Sequence, residues 1–200
     1  MDQEEANLEA EVGGDLSVMN LGKLKDDAEL KLRAPTGNLV VGTDVDVGKQ
    51  GSLMLEADRS LKVDGKITAN KLTVKLSDEL NYELQLNDLD VDILELSVSG
   101  KSVVVKNVTG LKVADGTQVG SFVVSTEEGD VVIGDGVVVN GKTSITSSGA
   151  IDLGKNTITT DELNLVANGG GIIGSINADS GGGAVRVDVI ANGKINIIGK

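Results

Sequence analysis

The chain of 200 residues contains no cysteine, histidine or tryptophan, and it has a single proline, tyrosine and phenylalanine. Without cysteine it can form no disulfide and offers neither a thiolate nucleophile nor a sulfur ligand for a metal. Without histidine, general-base catalysis near neutral pH would fall to Asp, Glu or Lys side chains with strongly shifted pKa values. We therefore predict that the chain is not an enzyme and holds no cofactor.

Charge and hydropathy exclude further classes of function. The formal net charge is −13, because 31 acidic residues outweigh 18 basic ones. This charge repels phosphate backbones, so we expect no nucleic-acid partner. No apolar run approaches the roughly 18 residues that a membrane-spanning helix needs, so we expect no membrane span.

Residues 1–12 form an acidic N-terminal segment, for which a short helix and a disordered end are both open. The segment lacks the basic and apolar regions of a signal peptide. If the chain is exported, its signal has been removed or the chain is a piece of something longer.

Short Val, Leu and Ile runs with interleaved polar residues restart along the chain and end in Gly, Asn or Asp. Leu53–Ala57, Leu163–Ala167 and Val187–Ala191 are near copies of one another. Period-2 alternation predicts strands, and the repeat predicts that each strand stacks on its own copies. Comparable strands begin 19 residues apart at Leu53 and Leu72, and 24 apart at Leu163 and Val187. About 20 residues per coil leaves room for roughly ten coils.

The fold prediction is therefore all-β, a single parallel β-helix, or β-solenoid, over residues 13–200. Hydrophobic residues make up 40% of the chain but aromatic residues only 1%, which favours a slim interior of stacked aliphatic side chains. Within this domain we expect an irregular region at about 80–128. Residues 80–98 run long without glycine, which predicts either a wider coil or an excursion into a hairpin.

Three segments carry a resemblance to a known family: Val63–Val74, Leu163–Gly174 and Ala191–Ile197. They resemble the repeats of filamentous-haemagglutinin-type adhesins, bacterial exoproteins exported by two-partner secretion. The resemblance extends over about 38–76 and 130–200. It implies a right-handed helix, a secreted or cell-surface location, and a non-enzymatic structural shaft that projects or presents binding regions.

Two other functions stay open. The chain could be a receptor- or glycan-binding β-helix module, in which the region 80–128 contacts a host molecule. It could also be a self-assembling or designed solenoid scaffold, because uncapped coils can associate end to end. Some polysaccharide lyases and hydrolases are β-helices too, but sugar-active sites commonly use aromatic platforms, and this chain has only Tyr82 and Phe122.

Two glycine-rich segments match nucleotide-binding motifs. Gly136–Thr143 has the spacing of a phosphate loop, and Gly169–Gly174, with Asp188 further on, has that of a dinucleotide fingerprint. Both motifs need a helix directly after the glycines, and neither segment is followed by a good helix former. We expect turns between strands at both places, with Lys142 as a surface charge.

Asp88, Asp90 and Asp92 are the only candidate metal ligands, and they are weak candidates for calcium. They alternate with Leu89, Val91 and Ile93, so a strand would place all three carboxylates on one face. Calcium takes oxygen ligands, but the glycine and glutamate of an EF-hand loop are missing here. A solvated acidic face is the interpretation we favour.

Asn107–Thr109 is an N-glycosylation sequon, and one match is near chance in a chain this rich in Asn and Thr.

Overall fold

The structure is a computed structural model that describes residues 7–22, 24–77, 83–98, 100–158, 162–178 and 186–199. These residues form 21 strands and contain no helix. Consequently, no helix in the described part of the chain is long and apolar enough to cross a membrane. The strands are β1 (Asn7–Glu11), β2 (Leu16–Val18), β3 (Glu29–Ala34), β4 (Leu39–Val41), β5 (Val45–Asp46), β6 (Ser52–Ala57), β7 (Leu61–Val63), β8 (Ile67–Leu76), β9 (Glu83–Ser97), β10 (Ser102–Asn107), β11 (Leu111–Val113), β12 (Gln118–Val119), β13 (Phe122–Thr126), β14 (Val131–Ile133), β15 (Val138–Val139), β16 (Thr143–Ser147), β17 (Ile151–Ile158), β18 (Glu162–Ala167), β19 (Ile172–Ala178), β20 (Arg186–Ala191) and β21 (Ile195–Gly199).

The strands stack in parallel as a β-solenoid of about eight turns, with successive strands roughly 21 residues apart. This confirms the predicted fold class and coil length, while the handedness stays a prediction. The turns number about eight rather than the ten expected, and the spacing between Cα partners varies from 19 residues (Leu53 to Leu72) to 24 (Leu163 to Val187). One line of Cα partners runs through Leu84, Val103, Phe122, Thr143, Leu163 and Val187.

The interior consists of aliphatic columns. In both Leu53–Ala57 and Leu163–Ala167 the first, third and fifth residues are at most 1% exposed, and the residues between them are half-buried. Burying one such Leu side chain contributes roughly 1.5–3 kcal/mol relative to leaving it in water. Phe122 is fully buried between the smaller Val103 and Thr143 of the neighbouring coils, which leave room for its ring. Each coil is thus stabilised by the coils directly above and below it.

Glycine at the corners lets neighbouring coils touch through their main chains. A Cβ on Gly65 would lie 2.1 Å from the carbonyl oxygen of Thr43 in the coil below. Gly129 has φ +78° and would place a Cβ 2.8 Å from the nitrogen of Gly110. The first position requires glycine for space, and the second for its conformation as well.

The structure corrects the expectation for the acidic N-terminal segment. Residues 7–11, for which helix and disorder were both open, form β1 and pair in parallel with β3. Leu8 and Ala10 pack against the core, while Glu9 and Glu11 point outward. The strand depends on a partner 22 residues further on, which no local pattern displays. Residues 1–6 lie outside the described part of the chain.

In the region expected to be irregular at 80–128, the described strands pair in parallel with the neighbouring coils, and the register shifts once, between Val105 and Asn107. β9 is one strand of 15 residues that turns two corners and contains no hairpin. Its first part pairs with β10, its middle with β8, and its last part with β8, β11 and β12. Residues 78–82, including Tyr82, lie outside the described residues.

Candidate functional site

The predicted acidic face lies in the middle of β9. Asp88 and Asp92 are exposed and Asp90 is half-buried, while Leu89 and Val91 between them are fully buried. The alternation stops at Ile93, which is half-exposed because the strand turns a corner there. The expectation that Ile93 shares the apolar face was therefore wrong, although the outward direction of the acids was right.

The side chain of Lys49, from the same chain, reaches this acidic face. The Lys49 ammonium donates hydrogen bonds to Asp90 Oδ1 at 2.6 Å, to the Asp90 carbonyl oxygen at 3.1 Å and to Asp92 Oδ1 at 3.2 Å. The Thr109 hydroxyl donates to Asp90 Oδ1 from the other side at 3.2 Å. Asp90 and Asp92 are therefore paired with a lysine. Among the described residues, no three Asp or Glu side chains converge in an arrangement that could hold a metal ion.

Lys49 lies two coils before its partners, in the loop 47–51 that connects β5 to β6. Gly48 adopts φ +74° in this loop, and its N–H donates to Asp46 Oδ1 at 2.9 Å. The next coil passes the same corner inside the continuous strand β8, with no loop. Because nothing bulges from that intermediate coil, the Lys49 side chain can cross it to β9.

Both partners of this ion pair have shifted pKa values. The hydrogen bond from Lys49 lowers the pKa of Asp90 below its usual range, against an opposing effect of burial. Burial alone would lower the pKa of Lys49, but its hydrogen bonds to Asp90 and Asp92 outweigh this and raise it. Both groups are thus charged at neutral pH, and neither is prepared to accept or release a proton there.

Other carboxylates bind the main chain of the next coil at the corners. Each accepts a hydrogen bond from a backbone N–H that lies 20 to 23 residues further on, which ties the turn of one coil to the turn of the next. The bonds are Asp15 to Asn38 (2.8 Å), Asp44 to Lys66 (2.8 Å), Asp115 to Asp135 (3.1 Å), Asp130 to Ala150 (2.7 Å) and Asp135 to Lys155 (3.0 Å). Asn38 also donates from its side chain to Asp15, and the backbone bond, followed by this one, lowers the pKa of Asp15. These acids are structural.

The Asn107 side chain is a clamp that the sequence analysis did not recognise. It is 1% exposed, accepts a hydrogen bond from the N–H of Val91 at 2.9 Å and donates to the carbonyl oxygens of Val91 and Thr109, each at 2.9 Å. The carboxamide thus binds the N–H and the carbonyl oxygen of Val91, as the main chain of a neighbouring strand would do. With no free amide, the Asn107 sequon cannot be glycosylated in the folded chain. The signal for its inward direction was its position, two residues after the inward Val105.

The two nucleotide-binding motifs form strands and corners, as expected. In the phosphate-loop match, residues 138–139 are β15, and β16 begins at Thr143, whose hydroxyl donates to the Gly141 carbonyl oxygen at 3.3 Å. Lys142 pairs with Glu162 in the next coil at 3.2 Å. The glycines at 169–171 form a corner that leads into β19.

A groove of about 350 Å³ lies between the end of β9 and β12. Its two carboxylates are engaged elsewhere, because Glu95 pairs with Lys71 at 2.5 Å and Asp115 accepts the Asp135 N–H. The Thr117 hydroxyl, on the same wall, is buried without a hydrogen-bond partner. The groove therefore brings together no nucleophile and base.

Comparisons with known proteins add no relative. No protein-family model matches the chain, and neither the curated proteins nor the solved structures contain a significant match. The parallel stack and the chemistry of its surface are therefore the features that indicate a function.

Proposed function

We propose that this chain is a non-enzymatic structural segment of the shaft of a secreted or surface-exposed bacterial adhesin, where it projects or presents binding regions. The observation that carries the proposal is the unbroken parallel stack from β1 to β21. About eight steps of roughly 4.8 Å make a rod on the order of 40 Å long. The resemblance of its repeats to those of filamentous-haemagglutinin-type adhesins supports the same role, and so does its lack of cysteine.

A shaft needs cumulative stability rather than a single site, and this rod has that property. Each coil buries its aliphatic residues against two neighbours, so the stability is a sum of nearest-neighbour terms. The corner carboxylates add a hydrogen bond from one coil to the next at five described positions. Because most contacts join adjacent coils, the loss of a coil such as the one at 111–130 removes mainly the contacts that this coil makes itself.

A one-coil deletion tests this role. Leu111 and Val131 are Cα partners in successive coils, so removal of residues 111–130 joins Gly110 to Val131 in the same register. In the bacterium that encodes the chain, we expect the deleted protein to remain on the surface or in the medium and to support adherence. Removal of the whole 200-residue segment should reduce adherence. Protein found only in the cytosol, or adherence unchanged by the full deletion, would contradict the proposal.

A receptor- or glycan-binding module is the second candidate, and one surface favours it. The outward residues of β10, β13, β16 and β18 are small and mostly uncharged, which makes this face flat and open to a partner. They include Val104, Val123, Ser125, Ser144, Thr146, Asn164 and Val166.

Glycan arrays and host-cell binding with the 200-residue chain separate the two candidates. Binding that Val123→Arg abolishes, while the control Met54→Arg on the outward face of β6 does not, would favour the module. A shaft segment should show no such binding. Turnover of acidic polysaccharides, with or without calcium, would overturn both candidates.

A further inference from the structure

The groove between the end of β9 and β12 exists because two neighbouring coils differ in length at this corner. β9 pairs with β11 at Leu94 and with β12 at Ser97, which are three residue steps apart. The coil above takes five steps between the partners of these residues, Val113 and Gln118. The two extra residues belong to an exposed turn, in which Gly116 has φ +72° and open space beside its Cα. The cavity of about 350 Å³ lies between this turn and β9.

The corresponding turn one coil higher is closed against this one. The two coils stay 20 residues apart along the strands on both sides of the turn, so the two turns stack directly. The Asp135 N–H donates to Asp115 Oδ1 at 3.1 Å, and the Gly116 N–H donates to the Asp135 carbonyl oxygen at 3.0 Å. The groove thus results from the meeting of a turn with the unbroken strand β9 beneath it.

The wall of the groove includes a hydroxyl group that the chain itself does not pair. Thr117 is 2% exposed, and its Oγ1 has no hydrogen-bond partner among the described residues. A hydroxyl that is buried without a partner lowers the stability of a fold. Packing does not require it here, because the same position in the next coil is Val137, which is 1% exposed. A ligand seated against Thr117 would supply the missing partner.

The other residues of the lining offer hydrogen-bonding groups of both kinds. The Lys71 ammonium holds Glu95 Oε2 at 2.5 Å, and a backbone N–H of the coil above holds Asp115 Oδ1, which leaves one carboxylate oxygen of each as an acceptor. Ser97 and Gln118 are exposed and add a hydroxyl and a carboxamide, which donate as well as accept. A ligand with several hydroxyl groups matches this set, since each of its hydroxyls also donates and accepts.

Size and charge narrow the class of ligand further. A volume of about 350 Å³ is near the lower end of the range for small-molecule sites, which suits a single sugar ring. Lys71 compensates the charge of Glu95, whereas Asp115 accepts only from a backbone N–H, so the groove keeps a negative charge that repels acidic sugars. A calcium ion takes six to eight oxygen ligands, and with Glu95 already paired to a lysine it is the less favoured occupant.

We propose that the groove between β9 and β12 binds one neutral sugar ring, with Thr117 as its buried hydrogen-bonding group and Glu95 and Asp115 as acceptors for the hydroxyls of the ring. The lining contains no aromatic side chain among the described residues, so we expect weak binding, with a Kd on the order of 1–10 mM. The site goes beyond the shaft role and does not depend on it. It also uses other strands than the face of β10, β13, β16 and β18.

Amide NMR spectra of the 200-residue chain test the proposal with four probes. Three are the methyl glycosides of glucose, galactose and mannose, which differ in the orientation of a single hydroxyl, and the fourth is glucuronic acid. We expect at least one methyl glycoside, at up to about 50 mM, to shift the amide signals of residues 95–98 and 115–118 until they saturate. Glucuronic acid should leave these signals in place.

Three results would overturn the proposal. The first is that none of the methyl glycosides shifts the signals of the groove, and the second is that glucuronic acid shifts them equally. The third is a shift of the same signals by about 5 mM calcium chloride without sugar, which would make the groove a metal site.

Thr117→Val separates sugar binding from folding. The change keeps the shape of the side chain and removes the unpaired hydroxyl, so the variant should melt no lower than the wild type, while it binds sugar roughly three- to tenfold more weakly. Thr143→Val is the matched control. Thr143 is 0% exposed and its hydroxyl donates to the Gly141 carbonyl oxygen at 3.3 Å, so this variant should gain no stability and bind sugar as the wild type does.

Two exposed changes keep the test decisive if a buried variant misfolds. Gln118→Ala, in the groove, should weaken sugar binding, whereas Val123→Arg, on the face of β13, should leave it unchanged. The reverse result would place the sugar on that face and contradict the proposal. Full sugar affinity in Thr117→Val, or a melting temperature well below that of the wild type, would show that the hydroxyl serves the core instead.

Discussion

The lower coils, β1–β8, and the upper coils, β10–β19, share one interior but have different exteriors. On the lower coils an outward column of Cα partners, Glu11, Arg33, Glu56 and Lys75, alternates in charge. Above Lys75 the same column continues through Ser97 of β9 to Gln118 and Val138 of the upper coils, and none of these three residues is charged. The aliphatic columns inside are the same in both. The interior therefore determines the fold, and the outer faces are free to differ in what they contact.

Arg33 shows how the lower coils use their charge. Its Nε donates to Glu56 Oε2 at 2.9 Å in the coil above, and its Nη1 pairs with Glu9 at 3.3 Å and with Glu11 in the coil below. One guanidinium thus joins three successive coils. The upper coils depend more on packing and on side chains that bind the main chain, such as Asn107 and Asp130.

The largest predicted effect tests whether the two interiors are equivalent. Leu55→Ala in the lower coils and Leu165→Ala in the upper coils should each lower the free energy of unfolding by about 3 kcal/mol, because both side chains are fully buried. Urea denaturation measures both. Costs that differ by more than about twofold would mean that one half is packed less well.

The next prediction concerns the clamp on which the upper coils depend. Asn107→Ala should lower the free energy of unfolding by about 2–3 kcal/mol, because it leaves the N–H and carbonyl of Val91 without partners in the interior. Asn164→Ala, on the outer face of β18, is the matched control and should cost less than about 0.5 kcal/mol. An equal loss in the free energy of unfolding for the two variants would contradict the role of Asn107 in binding the main chain of Val91.

A smaller effect, a salt-dependent change in melting temperature, should distinguish the charged exterior of the lower coils from that of the upper coils. Arg33→Met should lower the melting temperature at low salt, and the loss should shrink between about 0.05 M and 0.5 M salt as the charges are screened. Lys112→Met, an exposed change on β11, is the control in the upper coils and should have little effect at either salt concentration. A loss for Arg33→Met that does not depend on salt would point to packing of its aliphatic stem instead.

Lys49→Met tests whether the acidic face of β9 can bind calcium once its lysine is removed. The variant should melt at a lower temperature than the wild type, because Asp90 and Asp92 then repel each other. Millimolar calcium should restore part of this loss while leaving the wild type unchanged. If calcium stabilises both proteins equally, it binds somewhere else.

The smallest effect is the pH dependence of the carboxylates. The pKa values of Asp15 and Asp90 are lower in the folded chain than their ordinary value of 3.8, so each contributes stability above about pH 4. That contribution is lost as the pH falls through the lowered values, because the carboxylates are then protonated in both states. Asp90→Asn should therefore destabilise the chain at pH 7 and make little difference near pH 2. A difference between variant and wild type that persists at low pH would mean that the charge of Asp90 is not what matters.

Much of the fold could be predicted from the sequence, and much less of the candidate site. The alternation in Leu53–Ala57 and Leu163–Ala167 extends over five residues, so a local pattern suffices to predict strands. The acids of β9 were correctly placed on the outer face, but their lysine partner lies 41 residues away and belongs to a loop. The alternation rule also failed at Ile93, because no residue in that stretch signals the corner.

The sequence by itself determined that short strands alternate with corners and that their copies stack around an aliphatic interior, because both properties follow from patterns within about 20 residues. Only the tertiary structure decided the register. Each coil differs in length by a few residues, according to whether a corner is a loop, as at 47–51, or an unbroken strand, as in β8. Which side chains lie above one another depends on the sum of those lengths. For this reason the partners of Arg33, the reach of Lys49 and the strand at 7–11 emerge only when the coils are stacked.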